Sequence, residues 1–539
     1  CQAGCLTGGD PRGWIGVVAQ REKLGFDDPI AFRTAWEQLT AINPFPAVLG
    51  RICPHPCQTG CNRNDLDAPV AINALERYLG DWGIDQDLRL PIVEEDRKSE
   101  SVAVIGAGPS GLSFAYQMAR RGYPVVVYDR HPDAGGMLRY GVPDYRLPPD
   151  ILDAEVARIA DLGVEFRLGV GIGEEVALED LRDEHDLVYV AIGAQRGRGL
   201  GVPGDDGPGV WSGVEYLGRV NQGERIDLGR RVAVVGGGNT AVDAARTARR
   251  TGAAVTMLYR RTRAEMPAVS EEIDDALAEG IEIEFLVAPI EVRRSGEEIA
   301  HLLLQRMELG EPDASGRRRP LPIEGSEFEM PIDTVIAAVS QHPDWDGFHG
   351  AEWSELRGLS EPEPGLWVGG DAAGPGLAGI AIAHGRSAAE AAHARLRGLP
   401  LPVDDRTEPI RSGAVKPDFY EPSPQAVREH VAVEDALADP DLEVSLGLAE
   451  SEFLAEVERC FSCGLCFGCR HCFMYCTAPS FTPVEVPSPG NHFTLSLEAC
   501  RDCGKCIDVC PCGYLEVTSP ATVGSMADQL YSMTRNAPR

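Results

Sequence analysis

The residues best equipped for chemistry are sixteen cysteines, five from Cys1 to Cys61 and eleven from Cys460 to Cys512, with none between. A disulfide framework would staple loops throughout a chain of 539 residues, whereas clustered C-x-x-C spacings point to metal in a reducing compartment, with the cytoplasm as the expected location. Cys466-x2-Cys469-x2-Cys472-x3-Cys476 and Cys500-x2-Cys503-x2-Cys506-x3-Cys510-Pro511 each follow the spacing that holds [4Fe–4S] clusters in pairs, the fourth cysteine serving the other cluster. One cluster then takes Cys466, Cys469, Cys472 and Cys510, and the other takes Cys500, Cys503, Cys506 and Cys476. Zinc also uses C-x-x-C pairs, but two complete runs, one ending in Cys-Pro, favour clusters. The first run has Thr477 where a proline is usual, and Cys460, Cys463 and Cys512 are left over, expected as thiols buried near the clusters.

Two glycine loops supply the other chemistry. Val102–Ile105 reads as a strand, Gly106-Ala-Gly108-Pro109-Ser110-Gly111 as a G-x-G-x-x-G turn, and Leu112–Arg120 as a helix. Such a turn lets backbone approach a pyrophosphate: Gly106 allows the tight bend, Gly108 leaves room for phosphate, Gly111 lets helix and strand pack, and the helix start offers unpaired N–H groups. The next strand, Pro124–Tyr128, ends in Asp129, placed to accept hydrogen bonds from a ribose. The second loop, Gly236-Gly-Gly238-Asn239-Thr240-Ala241, has alanine for the third glycine, and its following strand ends in Arg260 and Arg261. Paired arginines there suit a 2′-phosphate, which leaves NADH and NADPH both open. Two facing dinucleotide sites serve hydride transfer between a nicotinamide and a flavin, so no acid–base pair is nominated. Asp371, in Gly369-Gly370-Asp371, is the remaining candidate for a polar contact.

These loops need parallel sheets to hold them. Short β-branched strands alternate with alanine-rich helices from Ser101 onward, the pattern of doubly wound α/β domains. The expected class is α/β with two Rossmann-like dinucleotide-binding domains, an N-terminal helical iron–sulfur domain and a C-terminal ferredoxin-like domain. The expected bounds are 1–93 for the helical domain, 101–228 with 330–400 for a discontinuous FAD-binding domain, and 229–329 for the NAD(P)H-binding domain. An extended proline-rich linker follows at 401–450, a two-cluster ferredoxin domain at 451–520 and a tail at 521–539. With 43% hydrophobic and 25% charged residues the composition is that of a globular protein, and no apolar run is long enough to span a bilayer. The net charge of −33 argues against a nucleic-acid surface and suits docking to basic patches.

Four stretches carry a resemblance: Gly135 to Pro148 (GGMLRYGVPDYRLP), Gly236 to Asp243 (GGGNTAVD), Tyr259 to Pro267 (YRRTRAEMP) and Gly369 to Ala372 (GGDA). With them, residues 1–400 or so resemble the glutamate synthase small-subunit family. The resemblance implies FAD at the first loop, surrounded by Asp129, Arg130, Gly136, Met137, Leu138, Gly370 and Asp371, and NAD(P)H at the second. It also implies two N-terminal [4Fe–4S] clusters with interleaved ligands: Cys5, Cys53, Cys57 and Glu76 for one, Cys1 and Cys61 with two upstream cysteines for the other. Ser340 stands where that family usually has glycine.

An appended ferredoxin gives electrons a route to a protein surface, so the expected activity is NAD(P)H:acceptor oxidoreduction with a redox protein as acceptor. The whole arrangement, with Cys460-Phe-Ser-Cys463-Gly-Leu-Cys466, is similar to the DsrL family, NAD(P)H-linked partners of dissimilatory sulfite reductase in sulfur metabolism. The alternative is an electron-input subunit of another multisubunit reductase, as the glutamate synthase small subunit is. Disulfide reduction is disfavoured because the dinucleotide domains hold no C-x-x-C. A homo-oligomer stays open.

Overall fold

The computed structural model describes residues 1–313, 316–348, 353, 356, 358–401 and 409–516. Part of the expected linker (402–408), the end of the expected ferredoxin domain (517–520) and the expected tail (521–539) lie outside them.

Val102–Ile105 is apolar and buried at all four positions, as a strand covered on both faces must be. It sits inside a six-stranded sheet ordered 360–363, 366–368, 187–190, 102–105, 125–129, 165–168, parallel except at the first pair. The helices Pro109–Ala119 and Ala378–Arg397 cross in close contact over it: a Cβ on Gly385 would overlap the Ser110 carbonyl oxygen, and Ser113 Oγ donates to the Ile382 carbonyl at 2.9 Å.

The second sheet is fully parallel and ordered 210–212, 334–337, 231–235, 254–259, 282–285, with an antiparallel sheet built from 287–331 following its last strand. This moves the expected domain bounds. Val210–Ser212 and Thr334–Ala337 both pair within the second sheet, so that unit takes residues from each side of 229–329. A short apolar strand such as Thr334–Ala337 fits either sheet by composition, and only its pairing with Val232–Val235 decides.

The N-terminal unit packs the helices Pro11–Ala19, Asp28–Thr40, Pro46–Ile52 and Ile72–Asp85. Asp27 begins the second of these by accepting from Ile30 N at 2.9 Å, with Pro29 in its first turn. Its core of Trp14, Phe32, Leu75 and Leu79 also includes Phe453 and Val457, from the helix Glu450–Glu458 near the other end of the chain. Phe453 stacks on Tyr78 at 4.1 Å and meets Phe32 edge-on at 5.2 Å, and Glu456 accepts from Ala71 N at 2.8 Å.

The expected linker is extended but not loose. Arg428 donates to the Gly50 carbonyl at 2.9 Å, Glu443 pairs with Arg51 (2.8 Å) and Arg77 (2.9 Å), Val444 N donates to the Tyr145 carbonyl at 3.0 Å, and His430 meets Asp275 at 3.4 Å. It straps the helical unit to both dinucleotide units. Beyond it the C-terminal unit consists of the hairpin Phe481–Ser488/Asn491–Leu495 and the short helices His471–Tyr475 and Lys505–Asp508. Among the described residues no helix is long and apolar enough to cross a membrane.

Candidate functional site

The first glycine loop opens onto a cleft lined by residues of the helical unit and of both dinucleotide units. Gly106, Gly108, Pro109, Ser110, Asp129, Arg130, Gly136, Met137, Leu138 and Asp371 all line it. Gly106 has φ +107°, and any Cβ there would overlap the Ala191 carbonyl oxygen. Asp129 is held by the loop itself, accepting from Ala107 N at 2.7 Å and His131 N at 2.8 Å, which leaves a second lone pair on each oxygen for a ribose. Among the described residues the Asp371 carboxylate accepts only from Gly376 N, at 3.1 Å, and burial pushes it up to about 6. Two expected residues support the cleft from behind. Gly111 packs its backbone on Gly106, and the α-carbon of Gly370 faces the Ser110 side chain.

The second loop opens onto another cleft, lined by Gly236, Gly238, Thr240, Arg260 and Arg261, with Arg198 and Pro267. Thr240 and Gln341 line both clefts, so the two sites meet there, as hydride transfer requires. Asn239 departs from expectation: it lines the first cleft, and its Oδ1 accepts from Val269 N at 3.0 Å. The two arginines also part company. Arg261 is buried and committed to Asp313 and the Arg318 carbonyl, both at 2.7 Å, while Arg260 is exposed and has no hydrogen bond or ion pair among the described residues. An ion pair that sequence reading missed joins the units: Arg146 donates to both Asp243 oxygens at 2.7 and 2.8 Å, and both residues line the first cleft. Burial opposes the charge on Arg146, and Asp243 with Glu272 more than restores it. The signal was there, since Arg146 and Asp243 lie near the ends of two of the four stretches quoted above.

All sixteen cysteines are free thiols, and the fold gathers them into sets. Cys53 has Cys5 and Glu76 as electrostatic neighbours, Cys57 has Cys5, Cys53 and Glu76, and Cys53 also lines the first cleft. Burial raises the Cys53 thiol to about 12. It raises Glu76 to about 7, with Asn43 donating to that carboxylate at 2.9 Å and drawing it back. Cys472 neighbours Cys466, Cys469 and Cys510, and Cys506 neighbours Cys500 and Cys476, which gathers three of the four cysteines expected in the second set. Cys512, expected as a buried thiol near a cluster, lies 3.9 Å from Cys510 and draws its thiol down to about 5. Cys460 and Cys463 differ: they face Cys1 and Cys61 across one cavity, and burial, then Cys463, pushes the Cys460 thiol up to about 12. Among the described residues no three His, Cys, Asp or Glu side chains converge as the ligands of one bare ion do.

The model of the pyridine nucleotide-disulphide oxidoreductase family matches residues 100–385, and that of dihydropyrimidine dehydrogenase domain II, a 4Fe-4S cluster domain, matches residues 1–88. The chain belongs to the pyridine nucleotide-disulphide oxidoreductase family, in its branch with the glutamate synthase small chain. It is an FAD-dependent oxidoreductase that uses NAD(P)H and carries [4Fe–4S] clusters. Among its relatives, the NADPH-Fe(3+) oxidoreductase subunit beta of Geobacter sulfurreducens is 42% identical over 56% of this chain and 46% of its own length. The NADP(+)-dependent formate dehydrogenase subunit beta of Moorella thermoacetica is 41% identical over 60% and 50%. The glutamate synthase [NADPH] small chain of Escherichia coli is 34% identical over 65% and 80%. The chain thus spans about half the length of the first two relatives.

Proposed function

We propose that this chain exchanges electrons between NAD(P)H and a redox-protein partner, with FAD in the first cleft and clusters leading away from it. The observation that carries this reading is Cys53, which lines that cleft and stands among Cys5, Cys57 and Glu76. FAD bound there would supply hydride acceptance from a nicotinamide and release of electrons one at a time, the form in which iron–sulfur clusters carry them. The chain's own residues position these groups. Asp129 and Asp371 offer acceptors to FAD, Thr240 and Gln341 sit where the clefts join, and Cys466, Cys469, Cys472 and Cys510, then Cys500, Cys503, Cys506 and Cys476, hold the terminal clusters. The uncommitted guanidinium of Arg260 supports NADPH as the preferred nucleotide. Around the terminal unit Phe473, Met474, Tyr475 and Leu497 are 45–68% exposed, which supports docking of a protein there.

The finer reading takes dissimilatory sulfite reductase as the acceptor and the cytoplasm as the location. It is supported by the resemblance of the flavoprotein, linker and ferredoxin order to DsrL-type proteins. The second reading, an electron-input subunit of another reductase, is favoured by the match across 80% of the E. coli small chain. Anaerobic titration with NADH and then NADPH, followed by visible absorbance and paramagnetic resonance, is expected to bleach the flavin and then reduce the clusters. A flavin that stays oxidised refutes the proposal. Assays with purified sulfite reductase and with a large amidotransferase-type subunit separate the two acceptors. Cys503→Ala is expected to abolish delivery to the partner and spare dye reduction, and equal loss of both would remove the terminal unit from the exit route.

A further inference from the structure

The ferredoxin runs leave Cys460 and Cys463 over, and the family resemblance gives Cys1 and Cys61 to a cluster whose other two ligands it places outside the residues given. All four line one partly open cavity of about 760 Å³, between the N-terminal helices and the segment entering the C-terminal unit. Its walls include the apolar side chains of Ile15, Ile72 and Phe461. Asn62, beside Cys61, donates from Nδ2 to Cys463 Sγ at 3.4 Å and to the Ile410 carbonyl at 2.8 Å, which ties the two ends of the chain together at the sulfur itself. Arg12 lines the same cavity and donates to the Cys463 carbonyl at 2.6 Å, bringing positive charge to the site. Cys460-x2-Cys463 has the spacing of two ligands of one cluster.

We propose that Cys1, Cys61, Cys460 and Cys463 hold a further [4Fe–4S] cluster, two ligands coming from each end of the chain. Binding a preassembled [4Fe–4S]²⁺ core takes one proton from each of the four thiols and changes no oxidation state. The resulting site is negative, and Arg12 offsets part of that charge. The N–H···S contact from Asn62 is of the kind that raises a cluster's reduction potential. Cys463 lies three residues before Cys466, the first ligand of the terminal pair, and Cys61 lies four residues after Cys57. The site therefore stands between the cluster beside the flavin and the terminal two. Ligation here is independent of the proposed activity, whereas the relay role rests on it.

The test is iron, zinc and acid-labile sulfide per FAD in the full-length chain purified without air, wild type against the Cys460→Ser/Cys463→Ser double variant. The expected result is a loss of four iron and four sulfide per FAD, with FAD content and dye reduction unchanged. Cys512→Ser, outside the cavity, is expected to lose none. Iron at the wild-type level in the double variant overturns the proposal, because other ligands then complete the site. One zinc per chain that disappears in the double variant also overturns it. Should the double variant fail to retain FAD, Cys463→Ser alone is read by paramagnetic resonance of the oxidised protein. Appearance of a [3Fe–4S] signal absent from wild type supports ligation, and its absence with full iron content refutes it. Loss of iron in the double variant, with a flavin that NAD(P)H cannot reduce even in the wild type, would uphold the ligand set and sink the proposed activity.

Discussion

Removing the Glu155 carboxylate is expected to loosen the helix that delivers Cys53 to the flavin cleft. Glu155 lies on the helix Pro149–Ala160, is fully buried, and accepts from Ala47 N at 2.9 Å and Val48 N at 3.2 Å at the start of the helix Pro46–Ile52. Those are donors that a helix cannot satisfy from within. In Glu155→Ala both are left buried without an acceptor, at about 1–3 kcal/mol each, so local opening becomes easier by at least ~2 kcal/mol, a factor of ~30. Hydrogen exchange of peptides covering residues 44–53 in the anaerobic holoprotein reads this directly, with the second sheet as internal control. The acidity of the group gives a second readout. Burial raises Glu155 from 4.5 to about 8, so the folded state binds its proton more tightly than the unfolded chain does. The stability this contributes is complete below pH 4.5 and is lost as the pH rises through about 8. Wild-type opening, corrected for intrinsic exchange, is therefore expected to ease across that window, and Glu155→Gln to lose the dependence while keeping one acceptor. Protection in Glu155→Ala within about threefold of wild type would refute the reasoning.

Asp371→Ala removes a cleft carboxylate that accepts from Gly376 N, and FAD affinity is expected to fall ~10–100-fold, the worth of a hydrogen bond to a charged group, by fluorescence titration of the FAD-stripped protein. The two arginines separate by assay: Arg260→Ala is expected to raise KM for NADPH ~10-fold and leave NADH unaffected. Arg261→Ala, which breaks the pairing with Asp313, is expected to lower the thermal midpoint and leave the NADPH-to-NADH ratio unchanged.

Local grammar was easy to read in this chain, and long-range company was not. The strand, turn and helix around Gly106 and around Gly236 announce themselves because each glycine answers to sterics within a few residues. The crossed cysteine sets of the terminal unit are likewise implied by spacing alone. Three things depend on partners remote in sequence and stayed hidden. Thr334–Ala337 is an apolar strand with no local mark of which sheet it joins. Arg261 looks as available as Arg260 until the loop bearing Asp313 folds over it. Cys460 and Cys463 look redundant until the chain brings Asn62 against Cys463 across 401 residues of sequence.

The shared core of the two chain ends sets an order of events during synthesis. Tyr78 and Glu450, in contact in the finished molecule, are separated by 372 residues. At ~5–20 residues per second a ribosome takes roughly 20–75 s to cover that distance. Throughout that interval the nascent helices around Phe32 and Leu75 lack Phe453 and Val457, which complete their apolar interior. Iron offered before Phe453 and Val457 arrive would meet N-terminal helices whose apolar interior is still incomplete, beside a flavin-binding middle that has already been made.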